Sequence, residues 1–157
     1  MTALAQAFQE LLAALDGTET PFVVIGSVAS GAHVLARLTN DIGMVVDLPA
    51  ERVSLLCEQL GAAFYADAAM ISRAVAAERP FNIIHLTTAH KFDLFPMGGD
   101  AFVPSEIARR QFTAGTVTGL ENIEFPVASP EDTVLAKLVW FRKGGEFRTG
   151  SGATFWV

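Results

Sequence analysis

The sequence predicts an α/β (α+β) domain in which strands form a sheet flanked by helices. Three observations predict it. Short apolar runs rich in β-branched residues or Phe recur at 22–25, 42–46, 81–86, 92–95, 112–117 and 123–127, each of strand length. Apolar residues at helical spacing fill 2–15, 49–61, 67–77 and 130–143. Gly, Pro, Asn and Asp punctuate the junctions. The chain has 157 residues, 51% of them hydrophobic and 12 of them Phe, which is enough for one domain with a real core.

Each element has a local reason. In 2–15, Leu4, Phe8, Leu11, Leu12 and Leu15 share a helical face, with Thr2 as N-cap, and Asp16, Gly17 and Thr18 end the helix. Phe22, Val23, Val24 and Ile25 read as a buried strand. Gly26 and Ser27 close it, and 28–35 suits a helix. Asn40 and Asp41 lead into a second strand. Asp47 is expected to cap the next helix, with Pro49 in its first turn and Gly61 at its end. A small-residue helix follows at 67–77, then paired strands at 81–86 and 92–95. His85 and His90 flank their turn and read as surface or sheet-edge residues; they lack the spacing of a zinc site, and His33 is no better supported. A loop at 97–103 precedes a short helix over 104–110, which Arg109 and Arg110 end with positive charge; a phosphate contact is the alternative. A hairpin over 112–127 follows. Ser129 caps the last helix, with Pro130 at its first position and Glu131 and Asp132 in its first turn. Its apolar Val134, Leu135, Leu138, Val139 and Phe141 are expected to face the core.

The chain is organised around 21–48. There a strand ends in a Gly26-Ser27 turn, a helix begins, and the next strand opens on Asp41. The turn allows close backbone approach, adds a hydroxyl and precedes a helix N-terminus that favours an anion. The same spacing also suits an ordinary strand–turn–helix with a surface Asp. With Arg37-Leu38-Thr39-Asn40-Asp41-Ile42, Lys91-Phe92-Asp93-Leu94-Phe95 and Ser129-Pro130-Glu131-Asp132 followed by Leu135-Ala136-Lys137-Leu138, the stretch resembles the nucleotidyltransferase superfamily of polymerase-β-like fold, in its bacterial antitoxin-system-like branch. The resemblance spans about residues 22–146. It implies a mixed sheet flanked by helices and Mg²⁺-dependent transfer of a nucleoside monophosphate from NTP to an acceptor.

Carried over by position, Asp41 would bridge two Mg²⁺ ions (or Mn²⁺ in their place). Asp93 would hold the ion beside the acceptor hydroxyl and help deprotonate it. Gly26, Ser27 and Thr39 would line the triphosphate, and Arg37 or Lys137 would neutralise phosphate charge. Alternatively, Arg37 only closes its helix and Lys137 only snorkels. The resemblance breaks at Gly43. Family members carry a second metal carboxylate two residues after Asp41, on the same strand face; here that side chain is missing. The second expectation is therefore a catalytically degraded module that binds a nucleotide or a partner protein, of toxin–antitoxin type.

The formal charge of −6 argues against non-specific nucleic-acid binding, so NTP with a small-molecule or protein acceptor is expected before a nucleic acid. Cys57 is the single cysteine, so no intrachain disulfide forms; it reads as a core or half-buried thiol. No secretory signal or membrane-length apolar run is seen, which points to a cytoplasmic protein without membrane association. Self-association is left open.

Residues 1–146 thus read as one domain, and 147–157 as an atypical tail. Family members continue instead with a polar Ser-Asp-Arg-Gln-Trp-Arg-Asp-Ile-Leu helix. The genetic code permits the codons TTT CGG ACC GGC AGT GGC GCG ACA TTC TGG for Phe147 to Trp156, and that string read two bases later gives the residues of that helix. A frameshifted tail is expected. Sequencing the source DNA checks it: codons that cannot yield the polar helix in another frame refute it.

Overall fold

The computed structural model describes residues 1–26, 28–29, 41–98, 102–114 and 118–142. Among them, seven strands form one mixed sheet. They are β1 (Phe22–Ile25), β2 (Asp41–Val46), β3 (Phe64–Tyr65), β4 (Phe81–His85), β5 (Lys91–Pro96), β6 (Gln111–Ala114) and β7 (Glu124–Val127), in the order β3-β4-β5-β2-β1-β7-β6. The helices are α1 (Ala3–Gly17), α2 (Val53–Leu60, entered through a 3-10 turn at Ala50–Arg52), α3 (Ala68–Ala76), α4 (Phe102–Ala108) and α5 (Pro130–Arg142). This is the expected α+β sheet flanked by helices. The tail lies outside the described residues.

Strand alternation divides the molecule into two unequal layers. Val24, Ile42, Met44, Val46, Phe81, Ile83, Phe92, Leu94 and Phe125 point to one face, where they meet Phe8, Leu11 and Leu15 of α1, Leu56 of α2 and Ile71 of α3. Phe8 is the hub: its ring stacks on Phe92 at 6.1 Å and meets Phe125 edge-on at 5.1 Å. The opposite face carries a smaller cluster of Val23, Val45, Ile107 and Ala128.

Most caps follow the sequence. Thr2 Oγ1 accepts from Ala5 N, Asp67 accepts from Met70 N, and Ser129 Oγ accepts from Asp132 N at 3.1 Å. Gly61 ends α2 at φ 58°, a left-handed conformation that suits glycine.

Other expectations are corrected. Asp47 caps nothing: Pro49 stands at the helix entrance with no side-chain cap, while Asp47 N donates to Pro21 O at 2.8 Å and so continues the strand ladder. α4 starts at Phe102, before Pro104, which the first turn tolerates because its N–H would have no partner there. The two-residue strand β3 lacks the length for a periodic signal and was not expected. On α5, Val134, Leu135 and Leu138 are exposed, whereas Asp132 and Thr133 are buried. The polar first turn faces inward because Asp132 meets Arg109 there.

Phe8 joins α1 to both halves of the sheet, so truncating it removes contacts that no neighbour can replace. Phe8→Ala is expected to lower unfolding free energy by about 3–5 kcal/mol, read from the urea midpoint. A loss under about 1 kcal/mol would show that the Phe8–Phe92–Phe125 cluster is not central.

Candidate functional site

The local sequence sets the strand ends. β1 runs antiparallel to β2, with Ile25 opposite Gly43. β2 runs parallel to β5, with Asp41 opposite Lys91 and Gly43 opposite Asp93. β7 runs parallel to β1, and Ala128 N donates to Val24 O at 3.0 Å. The end of β1, the starts of β2 and β5 and the entrance to α5 therefore lie at one end of the sheet. Gly26 follows β1 there at φ 74°, a conformation that glycine adopts without the strain a Cβ would bring.

Alternation sends Asp41, Gly43, Lys91 and Asp93 to the thinly covered face, because their neighbours Ile42, Met44, Phe92 and Leu94 fill the main core. Asn82 of β4 stands opposite Asp93 on its other flank, so Gly43, Asp93 and Asn82 form one row across three strands. Lys91 Nζ lies 3.5 Å from Asp41 Oδ2 and 3.5 Å from Asp93 Oδ1. The two carboxylates expected to act together thus converge on one ammonium.

Their environments differ. The Asp93 side chain has 0% of its surface accessible, whereas that of Asp41 keeps 36%. Neither carboxylate oxygen of Asp93 has a hydrogen-bond partner among the described residues, since the lysine stands at the outer limit of such a bond. Burial pushes the Asp93 carboxyl above its usual range; Lys91 opposes the shift and the charge of Asp41 adds to it. A buried carboxylate that no hydrogen bond satisfies among the described residues suits a hard cation, which takes oxygen ligands. The residues present fit one divalent ion held by Asp41 and Asp93. They do not supply the three-carboxylate set for two ions: Gly43 sits directly opposite Asp93, and no group of three or more His, Cys, Asp or Glu residues able to hold a metal occurs among the described residues.

Ser27, Arg37 and Thr39 lie outside the described residues, as does His33. Lys137 belongs to α5, with its side chain outside what is described. Sequence reasoning assigned no role to Lys91. The signal was present: in Lys91-Phe92-Asp93 the two polar residues alternate about a core Phe, which puts both on one strand face. Its place opposite Asp41 depended on a parallel register that spacing does not reveal.

Two further expectations change at this level. Arg109 is not a simple helix-end charge. Its Nε and Nη2 donate to Asp132 Oδ2 and Oδ1 at 3.1 and 2.6 Å, tying the end of α4 to the first turn of α5. His85 is buried rather than at the surface. Its Nε2 lies 3.2 Å from Glu10 Oε2 and its Nδ1 2.8 Å from Thr88 Oγ1, which also meets His90 Nδ1 at 2.7 Å. Phe64 packs edge-on against the His85 ring. Cys57 is half-buried as expected, and burial first, then Asp67, raises its thiol.

No helix among the described residues is long and apolar enough to cross a membrane. A scan against protein-family models gives no match for the chain, and a search of curated proteins gives none either.

The raised Asp93 carboxyl has a sign that can be measured. An acid whose folded pKa lies above its unfolded value costs stability once pH rises through the unfolded value, and the full cost stands above the folded one. Asp93→Asn removes that charge with little change in volume. The variant is expected to gain thermal stability over wild type as pH rises from below the ordinary carboxylate range to 7. Melting curves across that range check it, and a variant less stable at pH 7 than at acid pH, relative to wild type, refutes it.

Proposed function

We propose that this chain is a nucleotidyltransferase-type domain that binds a nucleoside triphosphate together with one Mg²⁺ (or Mn²⁺) at Asp41 and Asp93, and transfers the nucleoside monophosphate slowly to an acceptor. The observation that carries the reading is the convergence of two strand-borne carboxylates on one ammonium, one of them fully buried and without a hydrogen-bond partner among the described residues, beside a glycine turn at φ 74°. Folding leaves such a carboxylate without hydrogen bonds only at a cost, which a bound cation would offset.

When bound, the ion would supply Lewis acidity and charge neutralisation at the phosphates. Asp41 and Asp93 would hold it, and Gly26 would let the triphosphate approach the backbone. Asp93, beside the ion, would also take the proton from an acceptor hydroxyl. Gly43 limits the chemistry, because a second ion would lack its bridging anion.

A second reading is favoured by two observations. Gly43 stands where the third carboxylate would face Asp93, and Val134, Leu135 and Leu138 leave an apolar face on α5. Under it the chain is a degraded module that binds a nucleotide, or a partner protein, without turnover.

Calorimetry with each NTP and Mg²⁺, alongside transfer of label from α-labelled NTP, separates the readings. We expect Mg²⁺-dependent NTP binding that weakens about tenfold or more in Asp41→Asn, and label transfer that rises about 10²-fold in Gly43→Asp as the missing ligand returns. Binding with no transfer in either protein supports the degraded module. No NTP binding by wild type or Gly43→Asp overturns both nucleotide readings.

A further inference from the structure

We infer that the gap between the starts of β1 and β7 is a binding site for a small organic cation, an ammonium group on an aromatic or aliphatic body. The inference stands apart from the nucleotide reading. The whole of the four-residue β1, about 13 Å of strand, separates this gap from Gly26.

The sequence opens the gap. The parallel pairing of β1 with β7 sets Val24 opposite Val127, and Ala128 N donates to Val24 O at 3.0 Å. One step toward the strand starts, the same pattern calls for an N–H from position 126 to the Phe22 carbonyl. Position 126 is proline and has none to give, so the ladder stops there. β7 keeps its other partner, with Pro126 opposite Phe112 of β6.

Where the two strands part lies a cavity of about 610 Å³, within the roughly 300–1,000 Å³ of small-molecule sites. Every residue that lines it belongs to the described segments. The lining comes from both faces of the sheet. Leu12 and Leu15 of α1 approach from the core side, and Phe112 and Pro126 from the other, because Phe125 and Val127 turn inward between them. The wall formed by the end of α1 is held in shape. Thr18 Oγ1 donates to Ala14 O at 2.9 Å and meets Thr20 Oγ1 at 2.9 Å, and Arg52 Nη1 donates to Glu19 O at 2.6 Å. A ligand therefore meets a loop that is already ordered, which lowers the entropic cost of binding.

The lining selects the charge of the ligand. Leu12, Pro21, Phe22, Phe112 and Pro126 give an apolar floor, and the two aromatic rings among them suit a cation. Three exposed carboxylates, Asp16, Glu19 and Glu124, rim the cavity. They stand against one guanidinium, that of Arg110, whose Nη1 already donates to Ile107 O at 2.6 Å. The C-terminal end of α1 adds its partial negative charge. An anion entering here would be repelled at the rim. An ammonium would find acceptors there, while its apolar body displaced water from the floor.

The test follows the backbone amides of the full chain by NMR while phenethylammonium is added, without NTP or Mg²⁺. Hydrocinnamate, an anion of similar shape, is the control. Phenethylammonium is expected to shift the amides of Glu19, Thr20, Phe22 and Phe112 along one saturable curve, with an affinity at least about tenfold above that of hydrocinnamate. Glu19→Gln and Glu124→Gln lie at exposed positions and are expected to keep the wild-type melting temperature within a few degrees. Each is expected to weaken the amine about threefold, and the two together about tenfold. The inference is overturned by hydrocinnamate binding as tightly as the amine, by amine shifts spread over acids elsewhere on the surface, by an affinity that the double variant leaves intact, or by no saturable shift at all.

Discussion

The parallel pairing of β2 with β5 is the constraint on which the rest depends. It sets Asp41 against Lys91 and Gly43 against Asp93, and it buries Ile42, Met44, Phe92 and Leu94 on the far side. A slip of one residue would turn the carboxylates into the core and the core residues out, because side chains alternate. The hydrophobic demand of one face thus fixes the electrostatics of the other. Phe8, pressed on Phe92, is part of what holds that register, although it touches no charged group of the candidate site.

Most elements were legible because their signals are local. Thr2, Asp67 and Ser129 cap helices as their side-chain chemistry dictates, and the apolar runs at Phe22–Ile25 and Asp41–Val46 became neighbouring strands. The failures have one physical source, namely partners far away in the chain. Asp47 looks like a cap until Pro21 takes its N–H. The apolar residues of α5 look like a core face until Arg109 draws the first turn inward through Asp132. His85 looks superficial until α1 delivers Glu10 to its ring. The candidate site divides in the same way. Asp41 and Asp93 could be named from a resemblance, but the lysine between them needed the register.

The candidate site also sets a buried charge against the demands of folding. Asp93 is inaccessible, burial pushes its carboxyl above the usual range, and neither oxygen has a hydrogen bond among the described residues. A sequence under selection for stability alone would place an apolar side chain there. Lys91 and Asp41 moderate the difficulty without removing it, and Gly43 leaves the opposite wall without a side chain.

The turn before β5 has a further bearing on that charge. Thr88 bridges the rings of His85 and His90, Ala89 N donates to His85 O at 2.8 Å, and Ala89 takes φ 58°. From the other layer, Glu10 of α1 reaches His85 and holds the knot in place. The strand that carries the ammonium therefore starts from a point pinned by a helix on the far side of the sheet. Glu10 of α1 and Lys91 of β5 are thereby anchored to one and the same turn from opposite faces of the sheet.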